Sequence, residues 1–441
     1  MKGRQVIFWQ VIYHFPIEIR SILMHTVNIQ QESVLIRRAS CNAGQFDPLQ
    51  PLKFETNQQK QGKCQRFSRH ATRWLCNEHA PPHNHHVSKN ATNQSLQQAY
   101  VAFQAWKRVI YSDPMNFTSN WHGPNVCNYT GVYCTRHLND TNVLVVAGID
   151  LNHGDIAGFL PDELGLLSEL ALLHLNSNRF CGILPPTLSN LSLLFELDIS
   201  NNRFVGPFPS VVLSLPSLYF LDIRFNEFEG QLPPQLFNKK LDAIFLNNNR
   251  FTSVIPPNLG PSTASVVVFA NNRFGGCLPP SIAKFADTLE ELLLINTSIS
   301  GCLPTELGFL YKLRLLDVSF NQIVGPIPYS LSGLAHLELL NLAHNKLSGI
   351  VPEGVCVLPD LANFTFSYNF FCEEEGICSN LTSKGIVFDD RRNCLPEKPL
   401  QRSKKECEAE RPVDCFDHVC GKSTSNSAAA YHIPLSSIPP P

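Results

Sequence analysis

The stretch LYFLDIRFNEFEGQLP, residues 218–233, sets leucine or isoleucine at 218, 221 and 223, then Asn226, Phe228, Gly230 and a Leu-Pro step. Written as LxxLxLxxNxFxGxLPxxL, the same template recurs ten times between Ile149 and Phe371, with clear copies from Leu170, Leu194, Leu313 and Leu337. The asparagine phase falls at Gly154, Asn178, Asn202, Asn226, Asn249, Asn272, Thr297, Asn321, Asn345 and Asn369, so the period stays within one residue of 24. A period of this length marks a repeat architecture, and the motif is that of leucine-rich repeats. Each LxL segment predicts one strand of a parallel sheet, with its leucines inward and the residue between them on the concave face. The asparagine then turns inward to satisfy buried backbone groups, while Gly and the X-Pro step bend the chain back along the convex side. One repeat cannot bury its own apolar edge, so the expected fold is an α/β-type solenoid, a horseshoe or superhelix whose ends need caps.

Both caps are legible. Residues 99–134 read as a helical stretch with Phe103 and Trp106, followed by Trp121 and by Cys127 and Cys134, whose short spacing suggests a local bridge. After the array, Cys372, Cys378, Cys394, Cys407, Cys415 and Cys420 stand among few apolar residues, a segment expected to be held by disulfides. Cys277 and Cys302 each follow their repeat's asparagine phase by five residues, and coils about 4.7–4.9 Å apart fall within disulfide reach, so this pair is expected to bridge. Cys181 and Cys356 have no in-phase partner in the next coil, and the tail's connectivity stays open. The domains therefore read as a poorly patterned region 1–95, a cap 96–142, ten repeats 143–371, a cysteine-rich tail 372–422 and a Ser/Pro stub 423–441.

The formal charge of −2 hides an asymmetry. Residues 1–99 carry 12 Lys/Arg against 5 Asp/Glu, whereas residues 143–371 carry 11 against 19. An acidic rigid surface repels nucleic acid and attracts cationic partners. Fifteen cysteines without paired CxxC spacing indicate disulfides rather than a metal, and 12 of them lie from Cys127 onward. Nine glycosylation sequons, at Asn90, Asn93, Asn116, Asn128, Asn139, Asn190, Asn296, Asn363 and Asn380, also point to secretion. The start does not present a signal peptide: Val6–Phe15 is apolar but is interrupted by Gln10 and His14 and has no small-residue cleavage site, which suggests a displaced or mis-assigned start. No apolar run is long enough to span a membrane. The HAPPHNHH segment, with His79, His83, His85 and His86, has ligands without a scaffold, and Cys41, Cys64 and Cys76 lie in the unpatterned block; no metal, cofactor or catalytic motif is expected, and the chain does not read as an enzyme.

Beyond the repeat framework, AWKRVIYSDPMNFTSNW with VCNYTGVYC, then RFCG, LDIRFNEFEG, GGCLPPSIA, GCLPTELG, FTFSYNFF and the tail NCLPEKPLQRSKKEC with PVDC resemble the leucine-rich repeat extensins of plant cell walls, from about Gln98 to Lys422. The resemblance implies a secreted, homodimeric receptor for small, basic, disulfide-bonded rapid alkalinization factor peptides, bound between the repeats and the tail. It also implies a following extensin domain that couples the signal to the wall and its pectin network. The chain stops at LSSIPPP, so that domain is expected to be absent or a stub. Polygalacturonase inhibitors share the repeat coil and form the alternative, and a purely structural wall protein the third reading.

The strand positions expected on the concave wall include Asp198, Asp222, Arg224, Phe225, Phe245, Asn247, Phe320 and Tyr368, a mixture of acids and aromatics suited to a basic peptide. An aspartate in an LDxS strand can also do no more than solvate the face. Glu373 and Glu374, with Glu375, directly follow the last repeat, where the tail would fold over the sheet as the second wall of a cleft; a solvated loop is the plainer expectation for them.

Overall fold

The computed structural model describes residues 64–66, 74–76, 94–411, 413 and 415. Two compact units are present, Met1–Pro82 and His83–Pro441. In the first, strands Cys64–Arg66 and Trp74–Cys76 pair antiparallel. Cys41, Cys420, the histidine-rich segment, Asn90, Asn93 and residues 423–441 lie outside the described residues.

The second unit is a leucine-rich repeat solenoid. Strand Val132–Arg136 pairs antiparallel with Leu144–Asp150, and ten further strands then add in parallel, ending at Val387–Asp389. The middle residue of each three-residue strand from Leu172–His174 to Asn363–Thr365, such as Leu173, Leu221 or Leu340, is buried, while its two neighbours face the concave side. After most of these strands the chain enters a second set: a five-stranded sheet from Ala157–Gly158 to Arg250–Phe251, and a four-stranded sheet from Ser300–Cys302 to Phe370–Glu374. Short 3₁₀ turns such as Pro186–Asn190 and Thr305–Phe309 close the coils, each entered from a proline in extended conformation, where the absent N–H costs nothing.

Two ladders hold the coils in register. The Asn226 side chain accepts from Phe204 N at 3.0 Å and donates to Ile199 O at 2.9 Å and Ile223 O at 3.2 Å, and every phase asparagine from Asn178 to Asn393 repeats most of this scheme. Each thereby fixes its own turn and the coil before it, removing orphaned backbone groups from the interior. Two residues beyond each asparagine, Phe204, Phe228, Phe251 and Phe274 stack with ring centroids 6.2–6.4 Å apart, forming an aromatic spine inside the solenoid. Trp106 joins the cap to this spine at 5.7 Å from Phe180.

The amino-terminal cap is the helix Gln94–Val109, which buries Phe103 and Trp106 against Trp121 and Tyr129. Trp121 donates its indole N–H to Thr130 O at 3.0 Å, and Cys127 and Cys134 are bridged beside it.

Three expectations about the carboxyl-terminal part need correction. The repeats do not stop at Phe371: residues 372–393 form an eleventh coil, with strand Val387–Asp389 paired to Asn363–Thr365 and Asn393 in the asparagine phase, donating to Phe366 O and accepting from Phe371 N. Cys277 and Cys302 are not bridged to each other. Cys302 pairs with Cys415 in the tail, Cα atoms 5.8 Å apart, and Cys277 is disulfide-bonded elsewhere. The physical reason is register, because the Cys277 Cβ lies 3.1 Å from where a Cβ on Gly301 would stand, one residue short of Cys302. Finally, among the described residues the tail does not fold over the concave sheet. From Cys394, bridged to Cys407, it passes through the capped helix Lys404–Ala409 and runs back over the four-stranded sheet to Cys302. Gly325 provides the room there, since a Cβ on it would meet the Cys415 sulfur at 2.3 Å. Cys356 is tied to Cys378 of the eleventh coil, and Cys181 and Cys372 are free thiols.

Candidate functional site

The concave sheet presents two rows from each strand, and their chemistry changes along the solenoid. At the amino-terminal end one row reads Asp150, His174, Asp198, Asp222 and Phe245 in consecutive register, and the parallel row carries Glu196, Phe220 and Ala243. His174 Nε2 lies 3.0 Å from Glu196. Burial lowers its affinity for a proton, but Glu196, Asp198 and Asp150 outweigh this and leave its pKa raised. Asp198 accepts from the Ser200 backbone N–H at 2.9 Å. Asp222 is fully buried; burial and the neighbouring Asp198 carboxylate push its pKa well above the carboxylate range, although the Arg224 guanidinium lies 3.0 Å away. Arg224 also sits 5.2 Å over the Phe245 ring, which packs on Phe220. Asn247 is buried with its carbonyl oxygen unpartnered among the described residues.

The middle of the sheet is apolar. Val268, Ala270, Leu293 and Ile295 form a floor with little exposure of any one side chain. Glu291 at its edge is raised above the usual carboxylate range, chiefly by burial.

A third row runs along the rim where the strands end, one residue before each asparagine. Its residues adopt left-handed backbone and include Asn201, Phe225, Asn248, Asn271, Asn296, Phe320, His344, Tyr368 and Arg392. Phe225 stands alone and exposed. Phe320, His344 and Tyr368 form a continuous stack, with centroids 4.2 and 4.1 Å apart. Burial holds the His344 pKa below its ordinary value, with Arg402 assisting against Asp389, so the stacked imidazole favours its neutral form. Around the stack the charges are partnered: Arg391 pairs with Asp389 at 2.7 Å, and Arg402 lies 4.1 Å over the Phe370 ring.

Sequence reasoning placed Asp198, Asp222, Arg224, Phe225, Phe245, Asn247, Phe320 and Tyr368 along one concave wall; the structure groups Asp198, Asp222, Arg224, Phe245 and Asn247. Phe225 stands near them on the rim, whereas Phe320 and Tyr368 belong to a separate stack. His174, Glu196, Asp150, Phe220 and His344 were missed, although their repeat phase marks them: His344 holds the same position before Asn345 that Phe320 holds before Asn321. Glu373 and Glu374 are corrected. They lie on strand Phe370–Glu374 of the second sheet, where Glu374 is ion-paired to Lys398, Glu375 accepts from Glu353 N, and Glu373 is exposed. Their strand belongs to the other face, so they do not line the concave wall.

A shallow recess among Pro207, Glu229, Arg250, Thr252 and Arg273 opens where the five-stranded sheet ends, and its mixed charges match no single ligand class. Among the described residues no helix is long and apolar enough to cross a membrane, and no group of His, Cys, Asp and Glu is disposed to hold a metal.

Residues 169–191, 312–334 and 336–358 match the Leucine Rich Repeat family. Among solved structures, the plant peptide hormone receptor RGFR1 in complex with RGF2 is similar at a TM-score of 0.52 and 28% identity, covering 56% of this chain and 40% of the receptor. A TDR receptor is similar at 0.52 and 29%, over 56% of this chain and 43% of that one. In Arabidopsis thaliana, pollen-specific leucine-rich repeat extensin-like protein 3 is 61% identical over 337 residues, 76% of this chain and 46% of its own length. The chain thus spans under half of that relative. Leucine-rich repeat extensin-like protein 6 is 52% identical over 349 residues, 78% of this chain and 73% of its own. Leucine-rich repeat extensin-like protein 7 is 60% identical over 335 residues, 76% of each. With these identities over about three quarters of its length, the chain belongs to the leucine-rich repeat extensin-like family.

Proposed function

We propose that this chain is an extracellular protein of the plant cell wall that captures a small, basic, disulfide-bonded signalling peptide of the rapid alkalinization factor type on the amino-terminal half of its concave sheet, linking it to wall integrity and growth. The observation that carries the reading is the group of carboxylates Asp150, Glu196 and Asp198 around His174, bordered by Phe220, Phe245 and the exposed Phe225. Convergent carboxylates give a cationic ligand its charge partners, and the rings give it apolar contact. The related chains and the peptide-receptor neighbours support a binding role rather than a chemical one.

The test is calorimetry of the full secreted chain with a folded basic peptide of this class and with its reduced form, at two salt concentrations. Binding confined to the folded peptide and weakened by salt is expected. Glu196→Lys with Asp198→Lys places like charge against the ligand and should cost several kcal/mol, at least about a hundredfold in affinity. Unchanged affinity in that variant refutes the assignment of the site, and inhibition of a polygalacturonase in place of peptide binding transfers the chain to the inhibitor reading.

A further inference from the structure

Arg224 and Asn247 hold the same place in the repeat, two residues before Asn226 and Asn249 on consecutive coils. The Phe225 backbone N–H donates to the Asn247 backbone oxygen at 2.9 Å, so the two coils meet directly at this point. The Arg224 guanidinium lies 3.0 Å from the buried Asp222 and 5.2 Å over the ring of Phe245, which is the register partner of Asp222 on the next strand. Two residues beyond that ring, and by strand alternation on the same concave side, stands Asn247. It is only 3% exposed, and its side-chain oxygen has no hydrogen-bond partner among the described residues. The wall thus holds an arginine that is fully engaged next to a buried acceptor that nothing satisfies.

We propose that Asp198, Asp222, Phe220 and Phe245 form a subsite for one guanidinium group of a partner, that Arg224 fills this subsite in the free protein as an internal stand-in, and that an arriving arginine side chain displaces Arg224 onto the Asn247 side-chain oxygen. This deepens the reading of the acidic, amino-terminal end of the concave face as a receiver of basic peptide and rests on it, by naming the group such a partner presents there.

The present occupant identifies the ligand. A guanidinium offers forked donors to a carboxylate and a flat face to an aromatic ring, and a compact ammonium matches only the first of these. The subsite supplies both, since Phe245 lies under Arg224 and packs on Phe220 with ring centroids 5.7 Å apart.

The local charge leaves room for a second cation. Asp198 and Asp222 stand side by side in register, and Arg224 is the arginine that serves them. Burial and the Asp198 carboxylate keep the pKa of Asp222 well above the carboxylate range in spite of Arg224, so the pair holds together weakly for its distance. A second guanidinium relieves the repulsion between the two acids. Neighbouring coils are about 4.8 Å apart, and Arg224 already leans across that gap over Phe245, so a turn of its outer torsions carries the guanidinium to Asn247. There it meets an acceptor whose burial without a partner is unfavourable, which offsets the loss of Asp222.

The experiment uses the full secreted chain and N-acetyl-arginine methylamide as the probe, with N-acetyl-citrulline methylamide, its uncharged counterpart, as the control. Ligand-observed NMR gives the affinity in each variant, and the Arg224 Nε–Hε signal, assigned by its loss in Arg224→Ala, follows the side chain itself. The arginine probe should bind at least about tenfold more tightly than the citrulline one, and equal binding overturns the subsite. Arg224→Ala removes the stand-in and should raise probe affinity about tenfold; an unchanged or weaker affinity makes Arg224 a structural residue and overturns the displacement. Asn247→Leu removes the acceptor that receives Arg224 and should weaken the probe about fivefold in the parent but less than about twofold in the Arg224→Ala background. Equal losses in both backgrounds, or an Arg224 signal unmoved at saturation, overturn it as well. Should Arg224→Ala fail to fold, Arg224→Gln carries the same comparison. If a basic peptide fails to bind while the probe behaves as stated, the functional reading falls and the subsite stands; if the peptide binds and the Arg224 signal stays still, the subsite falls and the functional reading stands.

Discussion

Replacing Asn226 with alanine removes one rung of the asparagine ladder, and the structure sets the size of the loss. Asn226 is buried; its carbonyl is the acceptor for the Phe204 N–H, and its amide donates to Ile199, Ile223 and Arg224. Those three carbonyls keep other donors, namely Asn202, Asn249 and the Asn201 backbone, so they are weakened rather than orphaned. The Phe204 N–H loses its side-chain acceptor inside the coil. An orphaned buried donor costs about 1–3 kcal/mol and the weakened acceptors together about 1 more, giving roughly 2–4 kcal/mol. Asn201 supplies the control: on the exposed rim it makes one side-chain bond, to Ser177 at 2.9 Å, and Asn201→Ala should cost only about 1 kcal/mol, chiefly because alanine tolerates its left-handed backbone less well. Asn226→Thr should fall between them, because Thr297, the natural substitute in this phase, still donates to Leu294 O at 2.9 Å. Urea unfolding of the secreted chain gives the difference in midpoint. Hydrogen exchange should place it in strands Glu196–Asp198 and Phe220–Asp222, since repeat stability is a sum of neighbour terms. Equal midpoints for Asn226→Ala and Asn201→Ala would refute the ladder as a source of stability.

The raised pKa of His174 stabilises the fold below the ordinary histidine value of about 6.5, and that contribution is lost as pH climbs through the folded pKa. Two-dimensional NMR should find the ring titrating above 6.5, and His174→Gln should flatten the pH profile of stability there; titration at or below 6.5 sinks the argument. Arg224→Ala strands the Asp222 carboxyl in the wall, whereas Asp222→Asn removes only its charge, so thermal melts should rank the arginine variant as the more damaging, by about 2 kcal/mol. Cys415→Ser opens a loop of 113 residues, whose closure is worth up to about 4–5 kcal/mol in the chain-entropy account. Limited trypsin digestion should then cut at Lys404, Lys405 or Arg411 while the repeats up to Cys302 survive; resistance equal to the parent would show that packing alone holds the tail.

The solenoid was legible because its period is physical: leucines every two or three residues and an asparagine every 23–25 can satisfy one another only by stacking. The eleventh coil escaped because GIVFDDRRNCLP carries charge where earlier coils carry leucine, yet Asn393 stands 24 residues after Asn369 and is followed by Cys-Leu-Pro. The Cys302 partner could not be read from spacing. Equal offsets from the asparagine phase implied stacking of Cys277 on Cys302, but the paired left-handed glycines Gly275 and Gly276 bring Cys277 over Gly301 instead. At the site, the acids and rings of the concave rows follow from strand alternation, whereas the burial of Asp222 under Arg224 depends on packing between coils, which a single repeat does not disclose.

The disulfide from Cys302 to Cys415 also decides how the molecule carries force. A pull applied at Cys415 does not reach the last coil first; it enters at Cys302, with the coils of Asn321, Asn345, Asn369 and Asn393 still to follow. Those four coils lie outside the loaded path, so tension cannot peel them off one at a time like tape from a roll. It has to shear many parallel rungs together in the middle of the array. The covalent tie turns the end of the solenoid, ordinarily its weakest part under tension, into a bystander.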